Sequence, residues 1–199
     1  MKYILFTFFI WLTLSVSAQI NYKYQNNLSF SYSETIENYK ILDSLYANAR
    51  LVEMGKSDIG RPIHLFIISE DADFSPASIH NKGNTILLIN NGIHPGEPCG
   101  IDASLKFAED LLSSEKKLLK NTAVCIIPFY NIGGGLNRSC CSRAMQNGPQ
   151  EYGFRGNAQN RDLNRDFIKC DSENAKAFTK IYHQWNPEVF VDCHTTNGS

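Results

Sequence analysis

The apolar positions change period several times along the chain, and each change marks an expected element. Ile36, Tyr39, Leu42 and Leu45 recur at three-residue steps behind Ser33, Glu34 and Glu37, which predicts a helix from about residue 33 toward 49. Before it, residues 19–33 are polar and tyrosine-rich and read as an extended lead-in. Two strands are expected over residues 50–55 and 63–69, turned by Ser57-Asp58-Ile59-Gly60-Arg61-Pro62, and residues 71–83 read as a loop. Thr85–Asn90 carries four consecutive apolar residues, the mark of a strand buried on both faces. Ile101, Leu105, Ala108, Leu111 and Leu112 then form the inner stripe of a helix over residues 100–112. Residues 122–130 are a further buried strand. Residues 131–160 are rich in Gly, Asn and Arg and lack a period; a loop of that length is usually functional or disordered. Asp171 or Ser172 can cap a helix reaching about residue 184, Asn186-Pro187 ends it, and residues 189–192 are the last strand. Helices alternating with apolar strands predict an α/β domain, three layers α/β/α around a mixed, largely parallel sheet.

The first eighteen residues change the picture of the chain's start. Lys2 is their only charge, residues 3–14 are apolar, and Ser15-Val16-Ser17-Ala18 offers a small-residue cleavage site. Residues 1–18 therefore read as a secretory signal, with the mature chain starting at Gln19 and a secreted or periplasmic location. The apolar core is shorter than the ~20 residues of a spanning helix, which argues against an uncleaved anchor. Loss of Lys2 moves the formal charge from −1 to −2. No basic stripe points to nucleic acid, and no stable membrane association is expected once the signal is gone. Six cysteines follow it, none in a Cys-x-x-Cys pair, so a structural zinc knuckle is not expected. Cys125 and Cys193 lie in apolar runs as small hydrophobes. Cys140 and Cys141, in the polar loop, are the better disulfide candidates, each with a more distant partner.

Two strand ends carry the candidate chemistry. Asn90-Asn91-Gly92-Ile93-His94-Pro95-Gly96-Glu97 and Glu188-Val189-Phe190-Val191-Asp192-Cys193-His194 each run from apolar sequence into a potential metal ligand. His94, Glu97 and His194 supply two imidazoles and a carboxylate, the ligand set of a zinc with an open position for water. His-x-x-Glu alone is equally a turn with an incidental histidine. Pro95-Gly96 forces a tight turn able to bring His94 and Glu97 to one side, and both segments end strands, where α/β sheets gather ligands. Between them, residues 152–167 are dense in guanidinium and amide groups, suited to gripping a carboxylate or, alternatively, to forming a solvated loop with surface ion pairs. His64, His80 and His183 read as structural, and Phe129 and Tyr130 as wall or core.

The blocks His94-Pro95-Gly96-Glu97, Phe154-Arg155-Gly156-Asn157, Asp162-Leu163-Asn164-Arg165-Asp166-Phe167 and Val191-Asp192-Cys193-His194 occur in the order that resembles the zinc carboxypeptidases of the carboxypeptidase A type. The likeness covers residues 33–199. It implies Zn2+ held by His94, Glu97 and His194, and Arg155 polarising the scissile carbonyl and stabilising its oxyanion. Asn164 and Arg165 would hold the C-terminal carboxylate of a peptide substrate, and Asp162 would orient a metal-bound imidazole. The chain departs from the family's Asn-Pro-Asp-Gly block, having Asn131-Ile132-Gly133-Gly134-Gly135 instead. The family's general-base glutamate and covering tyrosine come from a later segment, and no Glu, Asp or Tyr follows His194. The expectation is therefore the N-terminal portion of a metallocarboxypeptidase, with the later part of the fold missing and turnover by these residues alone lowered by the ~10²–10⁴ a base contributes. The alternatives are a deacylase of the aspartoacylase and succinylglutamate desuccinylase type, or a non-catalytic zinc- or substrate-binding module.

Overall fold

The computed structural model describes residues 20–195; the expected signal at residues 1–18 lies outside them. Helix α1 (Tyr32–Leu45) begins slightly ahead of the expected start, because Ser31 and Glu34 form a reciprocal capping box. Strands β1 (Ala49–Lys56) and β2 (Pro62–Ile68) pair antiparallel, with a shift in register between Glu53 and Gly55. Strand β3 (Thr85–Asn90) leads to α3 (Cys99–Ser113), then β4 (Thr122–Ile127), α4 (Ile132–Leu136), α5 (Glu173–Trp185) and β5 (Val189–Asp192). The sheet order is β1-β2-β4-β3-β5. β4, β3 and β5 run parallel, whereas β2 meets β4 antiparallel, so the sheet is mixed.

The two faces of the sheet follow from strand periodicity. Ile63, Leu65, Ile67, Ile86, Leu88, Ala123, Cys125 and Ile127 point to one side, where Ile79, Ala177, Phe178, Ile181 and Trp185 cover them. Phe66, Ile68, Ile89, Val124 and Ile126 point to the other, against Tyr39, Leu42, Leu105 and Ala108. Burial pushes the Cys125 thiol up, as befits a small hydrophobe in a strand. β5 is different. Among the described residues it has a neighbour on one side only, and Val189, Phe190 and Val191 are 47%, 37% and 41% exposed.

Four local expectations are corrected. The loop 71–83 contains a helix, α2 (Pro76–Asn81), too short to show a period but announced by the Ser75 cap and Pro76 in the first turn. The 131–160 stretch opens with α4, where the Asn131 side chain accepts the Gly134 N–H. Cys140 and Cys141 bond each other rather than distant partners, and Cys99, Cys125, Cys170 and Cys193 are free. The strand expected over 122–130 ends at Ile127, but Phe129 and Tyr130 are buried as core residues.

Asp102 sits in the first turn of α3. Burial outweighs the Phe30 N–H and the nearby Arg138, and pushes its carboxyl up to about 6. A folded value above the ordinary ~3.9 favours the fold while the group is protonated, below about pH 4. That contribution is lost as pH rises through about 6. Asp102→Asn is expected to stabilise the protein near neutral pH by on the order of 2 kcal/mol, and to flatten the stability profile across that window. Urea titrations at several pH values check this; an unchanged pH slope would count against it.

Candidate metal centre

Strand β3 leads to the first two candidate ligands. Asn91 is fully buried, donates to the Ile127 carbonyl at 3.1 Å and accepts from the Ser104 hydroxyl at 3.0 Å, so the chain leaves the sheet on a fixed path. The Pro95-Gly96 turn then closes with the Glu97 N–H donating to the His94 carbonyl at 2.8 Å. His94 and Glu97 end up 3% and 4% exposed, facing each other. β5 pairs parallel with β3, Asn90 opposite Asp192, and the Cys193 N–H donates to the Asn90 carbonyl. That pairing carries His194 to the same place.

The candidate ligand atoms of His94, Glu97 and His194 lie within 4.8 Å of one another. His94 Nδ1 is 3.2 Å from Glu97 Oε1, and His194 Nδ1 is 3.0 Å from Glu97 Oε2. The outer nitrogens are matched as well. His94 Nε2 meets Asp162 Oδ1 at 2.9 Å, and His194 Nε2 meets Asp192 Oδ2 at 2.9 Å. A carboxylate accepts only, so each Nε2 carries a hydrogen toward its aspartate, and Nδ1 is the ring nitrogen that each histidine turns toward Glu97. Two such nitrogens and a carboxylate are a donor set that suits zinc. The residues fit the metal.

The electrostatics agree. Burial alone would raise Glu97, but His94, the Thr195 N–H, His194 and Arg143 outweigh it and hold the carboxyl well below its usual range. Burial likewise pushes Asp162 up, but His94, the Asn164 N–H and Arg155 bring it below the usual range. His194 is raised, because hydrogen bonds with Asp192 and Glu97 outweigh its desolvation.

Arg155 puts Nε and Nη2 on Asp162 Oδ2 at 3.1 and 2.9 Å and brings Nη1 to 3.5 Å from His94 Nδ1. Its guanidinium therefore borders the ligand side of the ring. Asn164 and Arg165 belong to a short 3-10 helix (Leu163–Arg165), pinned by fully buried Leu163 and capped by Asp162. The Asn164 N–H donates to Asp162 Oδ1, and Arg165 Nη1 to the Asn164 carbonyl. Neither side chain hydrogen-bonds the three ligands among the described residues. Asp166 closes the motif by accepting from the Ser172 N–H and hydroxyl at the start of α5.

Three residues escaped the sequence reading. Asp192 precedes His194 by two, a strand spacing that shares a face, and that was its available signal. Fully buried Asn131 donates to the carbonyls of Ile93 and Arg155, joining both sides of the site. Arg143 donates to Glu97 Oε1 at 2.6 Å from within the aperiodic loop, where only the density of arginines hinted at it. The remaining histidines are structural: His64 is buried in β2, His80 Nε2 lies 3.1 Å from the Trp185 carbonyl, and His183 is in the last turn of α5.

Comparison with known proteins follows the same lines. A zinc carboxypeptidase family profile matches residues 35–196. Carboxypeptidase 2 of Trichophyton rubrum is 26% identical over 144 residues, covering 70% of this chain and 23% of that protein. The metallo-carboxypeptidase of Burkholderia cenocepacia superimposes with a TM-score of 0.67 at 19% identity, covering 86% of this chain and 42% of the other. The metallo-carboxypeptidase of Pseudomonas aeruginosa, solved in complex with (2-guanidinoethylmercapto)succinic acid, gives 0.66 at 18% identity over 85% and 40%. The chain thus spans about a quarter of the curated relative and two-fifths of these structures. Among the described residues, no helix is long and apolar enough to cross a membrane. With the profile covering most of the chain and its fold shared with these carboxypeptidases, the protein belongs to the zinc carboxypeptidase family.

Proposed function

We propose that the site serves a zinc-dependent metallocarboxypeptidase, a hydrolase that removes residues from the C-terminus of peptides. The carrying observation is the matched pair of imidazoles around Glu97, each with Nδ1 inward and Nε2 on an aspartate. His94, Glu97 and His194 hold the zinc, which when bound supplies Lewis acidity and an activated water. Asp162 and Asp192 keep the two rings in the ligating tautomer. Arg155 donates to the carbonyl oxygen as negative charge develops on it, its place beside His94 Nδ1 being suited to that work. Asn164 and Arg165 take the terminal carboxylate. Arg165 is exposed and has no carboxylate partner among the described residues, which leaves its charge free for a substrate.

Residues 1–18 are removed on export, leaving residues 19–199 as a carboxypeptidase-like segment in a secreted or periplasmic protein. The test pairs metal content with substrate choice. One zinc per chain after dialysis, and release of C-terminal residues from blocked peptides, supports the reading. Cleavage of N-acyl amino acids with peptides untouched would replace it with a deacylase.

A further inference from the structure

Glu97 divides its two oxygens between separate sets of partners. Oε2 faces His194 Nδ1 and accepts the Thr195 N–H, each at 3.0 Å. Oε1 faces His94 Nδ1 and accepts from Arg143 Nη2 at 2.6 Å. The Arg143 side chain is only 11% exposed, so this is not a solvent-screened surface pair. The surrounding loop is built to hold it there. The Arg143 N–H donates to the hydroxyl of buried Tyr152 at 3.0 Å, Gln146 Nε2 donates to the Gly96 carbonyl at 2.8 Å, and the Gly153 N–H donates to the Pro95 carbonyl. The aliphatic stem lies so close to the turn that a Cβ on Gly96 would come within 2.9 Å of Arg143 Cδ. Residues 143–153 therefore clamp the turn that carries His94 and Glu97.

We propose that Arg143 is a positioning residue that acts through Glu97, holding its carboxylate in place and keeping a permanent positive charge against the metal site. The inference rests on the zinc reading above. The guanidinium is permanently charged, so its hold on this buried carboxylate does not depend on the proton state of either imidazole. With a divalent ion held by the three residues, Glu97 would be shared between guanidinium and metal, and the ligand set would present less negative charge than two imidazoles and a free glutamate. Two effects then oppose each other. Fixing Glu97 favours metal binding, whereas repulsion between a unit and a double charge at close range disfavours it. Inside a buried site the repulsion is the larger of the two. Arg143 thus weakens zinc binding while leaving the bound ion more electron-poor.

The test is zinc affinity, read by chelator competition on the 199-residue chain, for Arg143→Met and Arg143→Lys. Arg143→Met removes the charge at similar volume and is expected to bind zinc about ten-fold more tightly. Arg143→Lys keeps the charge and should stay within about two-fold of the parent. A merely structural role predicts the opposite sign, so weaker zinc binding by a folded Arg143→Met overturns the proposal. If Arg143→Met does not fold, Arg143→Gln carries the same comparison. Failure of the parent chain itself to bind zinc would instead remove the functional reading, a result distinct from any shift among the variants.

Discussion

Replacing His194 with alanine is expected to reduce zinc affinity by more than about 100-fold. Removing an outer carboxylate from a metal-bound histidine already costs about 10–100-fold, and loss of the ligand itself must exceed that. His194 follows β5, its side chain is 29% exposed, and its hydrogen bonds go only to Glu97 and Asp192. The sheet and both core faces are built without it. The variant should therefore fold with an unchanged denaturation midpoint in metal-free buffer. Metal counted after dialysis against a weak chelator gives the answer. Stoichiometric zinc on a folded His194→Ala protein would show that the ligand assignment is wrong.

Gly100→Ala should damage both the fold and the site. In an ordinary helix interior alanine outperforms glycine by about 1 kcal/mol. Here the sign reverses. The new methyl would collide with the Cβ of Cys193 and come within 2.8 Å of Asn91 Oδ1 and 3.1 Å of Cys193 Sγ. Neither neighbour yields easily, because the Cys193 N–H is tied to the Asn90 carbonyl and the Asn91 side chain is held at both ends. Overpacking of this kind costs about 1–3 kcal/mol. The strain falls on the residue before His194 and on the segment leading to His94, so zinc affinity should drop along with the denaturation midpoint. Adding Cys193→Gly removes the collision and should recover part of both losses. A neutral or stabilising Gly100→Ala would mean that helix propensity governs this position.

How much was legible depended on the reach of each interaction. β3 and β4 could be read from uninterrupted apolar runs because they are buried on both faces, α3 from a stripe long enough to show a period, and α5 from its cap and the Asn186-Pro187 that ends it. The α2 helix has six residues, less than two turns, and only its cap and proline announce it. His94, Glu97 and His194 could be read as candidate ligands because their two segments follow the ends of β3 and β5. Arg143 and Asn131 were not, because their partners lie 46 and 38 residues away in sequence and no periodicity records such contacts. The loop after β4 looked featureless for the same reason. Its order comes from distant groups, such as Arg138 donating to the carbonyls of Ser29, Phe30 and Glu151. Only the family motif, not local pattern, linked Arg155 and Asp162 to the two histidines.

The pairing of β5 with β3 has a thermodynamic corollary. Asn90 lies opposite Asp192 and the Cys193 N–H is tied to the Asn90 carbonyl, so the strand that leads to His94 also places His194. An ion held by both histidines would tie the two strand ends together, and metal uptake and strand pairing should favour each other reciprocally. Hydrogen exchange at the Cys193 amide should therefore slow when zinc is added; an unchanged rate would count against the coupling.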